Sequence, residues 1–159
     1  MIARRLIPSL AALLLPSTPV LSQDAAPLSP ADFLVAEIRD GMDSVSVRRH
    51  LGQPDSVSVA DNPWEPGAKL TKWSYHELTV TLNAKAIGIT LHGRRVSTHR
   101  GLHVGDRAAR VAKLYGSAGS ATDDEWWYRD PADSTGSHLM LVAFERGLVS
   151  SVYLGWYTE

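Results

Sequence analysis

The sequence predicts an α+β fold made of two helix-plus-strands repeats whose strands pair antiparallel. Three observations predict it. Short helical segments bounded by glycine alternate with blocks of several strands instead of single strands, which disfavours a parallel α/β sheet. Within the strand blocks, apolar residues alternate with Ser and Thr, as in a sheet with one face on a core and one toward water. The order helix, Gly, Trp-x-Tyr strand and hairpin also occurs twice.

In chain order, the first segment reads as a secretory signal. Arg4 and Arg5 precede an apolar run from Leu6 to Leu15, and Val20 and Ser22 place a cut before Gln23. The run is shorter than the roughly 20 residues of a membrane span, and Pro8 and Pro16 interrupt it. Domain assignment follows: signal peptide 1–22, flexible lead-in 23–28 and one α+β domain 29–159, with repeat one about 29–98 and repeat two about 99–159. Cleavage near Ser22–Gln23 implies a periplasmic or extracellular protein and shifts the formal charge from −1 to −3, because only Arg4 and Arg5 are lost.

Ser29 is placed to N-cap a helix with Pro30 at its first position and Phe33, Leu34 and Ile38 as its stripe, ended by Gly41. Asp43 caps a second helix, 44–51, that stops at Gly52–Gln53–Pro54. Alternation then predicts strands around Val57 and Val59, Trp73 and Tyr75, Leu78 to Leu82, and Ile87 to Leu91. Asp106 caps a helix over 107–115, Gly116 ends it, and 116–120 reads as a flexible loop. Strands follow at 125–129, 138–144 and 148–156, joined by turns at 131–136 and 145–147.

The two windows Gly41–Gly52 and Gly105–Gly116 frame the two Asp-initiated helices, with Val47 matching Val111. Gly41–Met42–Asp43, Val47 and Leu51–Gly52–Gln53–Pro54 resemble small secreted bacterial domains of the β-lactamase-inhibitor-protein-like group and the SmpA/OmlA outer-membrane-assembly lipoproteins. Thr98 to Asp106, Val111 and Tyr115–Gly116 resemble the second repeat of the tandem form. The resemblance covers about 115 residues, from Ile38 to Leu154. It implies one antiparallel sheet shared by both repeats, short helices packed on one face, and target binding through aromatics on the other. The chain has no cysteine, so it carries neither the lipoproteins' lipidated residue nor the inhibitors' disulfides; architecture transfers more safely than function.

Composition excludes several chemistries. The absence of Cys removes disulfides, thiolate metal sites and cysteine nucleophiles. Sixteen Lys and Arg against seventeen Asp and Glu argue against a nucleic-acid binder. No Gly-x-Ser-x-Gly elbow, phosphate loop or dinucleotide fingerprint occurs. The loop 130–136 misses calcium-ligand spacing because Ala132 stands at its third position. The expected function is therefore non-enzymatic, without cofactor or stable membrane anchor: a domain that binds another protein or envelope component. Its anchors are expected to be Trp73, Tyr75, Trp126, Tyr128 and Trp156 on the helix-free face, with His76 and Arg129 at the rim. The alternative is a small-ligand or metal-binding envelope protein using His92, His99 and His103.

Overall fold

A computed structural model describes residues 25–157; the signal-peptide assignment and the start of the lead-in lie outside the described residues. After a 3₁₀ turn at Pro30–Phe33 come α1 (Ser44–Leu51), β1 (Ser56–Asp61), β2 (Lys69–Ser74), β3 (Leu78–Asn83) and β4 (Lys85–Leu91). The second half follows with α2 (Ala108–Tyr115), β5 (Ser120–Ala121), β6 (Glu125–Arg129), β7 (His138–Glu145) and β8 (Leu148–Trp156). The strands form one eight-stranded antiparallel sheet in the order β1-β2-β3-β4-β8-β7-β6-β5, so the fold is α+β. β4 and β8 meet at its centre.

The register fixes which face is buried. The paired row Trp73, Val80, Ile89, Leu154, Met140 and Tyr128 crosses six of the eight strands, β2 to β6 in sheet order, and every member is buried. Both helices cover this row: the Arg48 guanidinium of α1 lies 4.5 Å over the Trp73 ring, and Tyr115 of α2 packs 5.6 Å from Tyr128. Val47 and Val111, fully buried, anchor the helices to it. Each such aliphatic side chain stabilises the fold by about 1.5–3 kcal/mol on leaving water. The adjacent row, Lys72, Thr81, Gly88, Gly155, Leu139 and Arg129, points to the other face, which neither helix covers.

The two halves share more than element order. Gly41 donates its N–H to Ala86 and Ala86 donates to Met42; Gly105 donates to Val149 and Val149 to Asp106. Each helix therefore begins by pairing with the second strand of its half's last hairpin. Each ends on a glycine with φ near +75° (Gly52 at 79°, Gly116 at 73°), a conformation costly for any residue bearing a Cβ. The carbonyls of these glycines accept the hydroxyls of Tyr75 at 3.3 Å and Tyr128 at 3.2 Å. The recurring Trp-x-Tyr motif is thus a clamp: its tyrosine holds the end of the preceding helix.

Three local expectations are corrected. The helix expected from Ser29 to Gly41 is one 3₁₀ turn followed by a tight turn, with Val35 and Ile38 paired across Ala36 (φ 48°) and Glu37 (φ 65°). The chain leaves the helical path because Phe33, Val35 and Ile38 are all buried and the Gly41 N–H reaches the Ala86 carbonyl. Asp43 caps α1 through the Ser46 N–H at 2.7 Å, but Asp106 does not cap α2. Its carboxylate accepts the His103 N–H at 2.9 Å and faces Arg110 at 3.3 Å. The loop expected over 116–120 ends in β5, which pairs Ser120 and Ala121 with Trp127 and Trp126.

Candidate binding site

The uncovered sheet face holds a trough of about 360 Å³, walled by Trp64, Leu70, Leu141, Tyr153, Trp156 and Tyr157. Its hollow sits beside the sheet centre, where Gly88 and Gly155 pair across β4 and β8 and supply no side chains. The phenol of Tyr153 occupies that space, and its hydroxyl donates to the Trp156 carbonyl at the end of β8. Burial, with Asp40 and Tyr157 adding to it, pushes the Tyr153 hydroxyl up to about 12, so it remains a neutral donor. Trp64 is delivered by the loop after β1: the Asn62 side-chain oxygen accepts the Trp64 N–H at 3.0 Å, and Asn62 itself donates to Ala68. The indole is 51% exposed.

A second recess of about 320 Å³ adjoins the trough through Tyr157 and is lined by Trp127, Arg129, Leu139 and the 135–137 loop. Trp127 and Tyr157 meet edge-on at 5.0 Å. Arg129 donates to the Gly136 carbonyl at 2.6 Å and forms a charged margin. The loop is folded by Asp133, whose carboxylate accepts N–H groups of His138 and Thr135. Those hydrogen bonds, that of His138 first, hold the Asp133 carboxyl down at about 2.

A buried ionic cluster fixes the end of the trough. His138 stacks on Phe33 at 4.0 Å; its Nδ1 lies 2.8 Å from Asp130 Oδ2. Its Nε2 lies 3.4 Å from Asp40 Oδ2, within ion-pairing reach but without hydrogen-bond alignment. The Trp156 indole donates to the same Asp40 at 3.0 Å. Burial opposes charge on His138, yet Asp40 and Asp130 together hold its pKa above the ordinary imidazole value. Asp40 is held below the usual carboxylate range: its burial works against ionisation, and His138 and the Trp156 indole outweigh it.

The structure distributes the expected site residues unevenly. Trp73 and Tyr128 are buried beneath the helices, each 5% exposed, and present no surface to a partner. Tyr75 is half-buried and committed to Gly52. Trp126 lies on the helix side, half-buried, with its ring edge-on to Phe144 at 5.0 Å. His76 is exposed beside Glu77 in the β2–β3 turn and lines neither recess. Of the expected anchors, Trp156 alone lines the trough, and Arg129 borders the second recess. The expected anchors leave out Trp127 and Tyr153 on the other face of β6 and β8, Tyr157 just past β8, and Trp64 on the loop after β1. Alternation carried a signal for three of them: Trp127 stands opposite in phase to Trp126 and Tyr128, and Tyr153 and Tyr157 to Leu154 and Trp156.

The histidine alternative is also corrected. Among the described residues no three of His, Asp or Glu converge as metal ligands. His103 is turned to the Arg94 carbonyl at 3.0 Å, His92 to Thr79 at 3.4 Å, and His99 is exposed. No helix among the described residues is long and apolar enough to cross a membrane.

No protein-family model matches the chain, and no curated protein matches it. Among solved structures it is similar to an extracellular protein containing an SCP domain from Bacillus anthracis str. Ames, with 11% identity and a TM-score of 0.52. The match covers 84% of this chain and 48% of that one, so the chain spans about half the length of that protein. At this identity the likeness concerns the fold alone. A candidate β-lactamase inhibitor protein from Streptococcus mutans aligns over 70% of this chain and 80% of its own, with 10% identity and a TM-score of 0.33.

Proposed function

We propose that this chain is a secreted, non-enzymatic binding domain that takes an apolar segment of another protein into the trough on its uncovered sheet face. The observation that carries the reading is the trough itself, in which exposed Trp64, Trp156 and Tyr157 stand around a lining of Leu70, Leu141 and the Tyr153 ring laid over Gly88. Large aromatics beside an apolar pocket, with polar groups at the margin, have the composition of a recognition surface. The hydroxyls of Thr81 and Thr90 and the neutral Tyr153 phenol add hydrogen-bonding groups without a charge to desolvate. Lys72 and Asp61 stand at the edge. Tandem duplication of one helix-plus-strands unit is the origin we infer for this architecture, supported by the matched glycine, tyrosine and helix-entry contacts of the two halves. Placement outside the cytoplasm rests on the leader-like residues 1–22.

The test is selection of displayed random peptides on the purified protein, followed by calorimetry on the enriched sequences. Apolar peptides should be enriched, and Trp64→Ala combined with Tyr157→Ala should weaken them by about tenfold or more. Failure to enrich any sequence, or binding indifferent to the double substitution, would overturn the reading.

A further inference from the structure

We propose that the β1 edge pairs with β1 of a second copy of this chain, joining two eight-stranded sheets antiparallel across a two-fold axis. β1 terminates the sheet, pairs with β2 along six consecutive positions without a bulge, and is exposed along its whole length. Sheet edges in monomers are commonly blunted by Lys, Pro, a bulge or shortness. Ser56 to Ala60 has none of these, whereas the opposite edge, β5, is two residues long. The protein has thus limited one edge and left the other open.

The open edge is self-complementary. Val57–Ser58–Val59, flanked by Ser56 and Ala60, reads nearly the same in both directions. Antiparallel self-pairing centred on Ser58 sets Val57 of each copy against Val59 of the other, twice, on the helix side of the sheet. These valines are 54% and 62% exposed in one copy, although their row-mates Trp73 and Leu82 are core residues. The strand's one charge, Asp61, is already paired with Lys69 of β2, which offsets its repulsion from the second copy's Asp55. Because both copies use the same edge, the assembly closes at two; a head-to-tail β1–β5 contact would have only two residues to pair. The described lead-in leaves this edge free. Arg100 holds the Ala26 and Pro27 carbonyls, and Ala25 lies against Gly116, in the other half.

The trough opens on the opposite side from Val57 and Val59, and of β1 only Ala60 and Asp61 line it, so Val59→Lys tests pairing without altering a trough residue. Sedimentation equilibrium of the purified protein should give a concentration-dependent dimer. Val59→Lys should weaken it by at least about tenfold, with circular dichroism and thermal midpoint unchanged. The cysteine-free background gives a register test: Ser58→Cys should form an intermolecular disulfide at least about tenfold faster than Ser117→Cys, a cysteine on an exposed loop. A monomer at every concentration, a dimer insensitive to Val59→Lys, or equal cross-linking of the two cysteine variants each overturns the proposal.

Discussion

The phenol of Tyr153 fills the space over Gly88: a methyl group at position 88 would stand 2.5 Å from the ring carbon Cε2 and 2.6 Å from the phenolic oxygen. Glycine there lets an aromatic ring lie down on the centre of the sheet. Gly88→Ala should therefore displace the ring and cost about 1–3 kcal/mol in urea unfolding. Ultraviolet titration gives a second readout, since a ring pushed toward water should ionise below the native value of about 12. An unchanged titration in a folded variant would show that the ring does not depend on the glycine.

The two faces of β2 and its neighbouring loop predict opposite outcomes for two tryptophans. Trp73, 5% exposed and under Arg48, should cost about 3–5 kcal/mol as Trp73→Ala. Trp64, 51% exposed, should cost no more than about 0.5 kcal/mol as Trp64→Ala while weakening selected-peptide binding. Paired urea melts and calorimetry check both, and the reverse order of stabilities would contradict the assignment of faces.

Arg100 and Asp32 form a buried bidentate pair, with Nε 2.6 Å from Oδ1 and Nη2 2.8 Å from Oδ2. The same guanidinium donates to the carbonyls of Ala26, Pro27 and Leu114, tying the lead-in to α2. Arg100→Met should destabilise by about 3–5 kcal/mol, because it strands a carboxylate that is almost wholly buried. In the native protein burial works against the Asp32 charge, but Arg100 and Ser29 hold its pKa below the usual 3.8. That stabilisation is present above the unfolded pKa and is lost as pH falls through the folded one. Without Arg100, burial favours the protonated carboxyl, so the destabilisation by Arg100→Met should shrink in urea melts as pH falls and Asp32 is protonated.

His138 carries the opposite sign. Its folded pKa lies above the ordinary 6.5, so its contribution is complete below that value and is lost as pH rises through the folded pKa. Unfolding free energy should fall as pH rises from below the ordinary 6.5 through the raised folded pKa. The decline should shrink in His138→Asn, measured by urea titration at both ends. A slope identical in the two proteins would remove the cluster of His138, Asp40 and Asp130 from the pH response.

Much of the strand layout was legible because alternation reports directly on half-buried sheets. Leu78, Val80 and Leu82 announced β3, and Val152 and Leu154 announced β8. The recurring Trp-x-Tyr motif was equally visible, but its meaning was not. The Tyr75 hydroxyl reaches Gly52, 23 residues earlier in the chain, and no local pattern encodes that contact. The faces of β2 and β6 were misjudged for a related reason. Trp73 is a core residue because it pairs with Val80, and Tyr128 because it pairs with Met140. Both facts belong to register between strands rather than to either strand alone. The helix expected at 29–41 failed where start signals at Ser29 and Pro30 met the stronger demand to bury both Val35 and Ile38, paired across a tight turn.

The strand order has a kinetic consequence. Every pairing except one joins strands adjacent in the chain, so each half can zip up from local hairpins on the microsecond scale. The pairing of Gly88–Leu91 with Val152–Gly155 alone must close a loop of some sixty residues before it is rewarded. The seam beneath the trough is therefore where the folding barrier should concentrate. The glycine pair that makes room for the Tyr153 ring also removes side chains from the last edges to find each other.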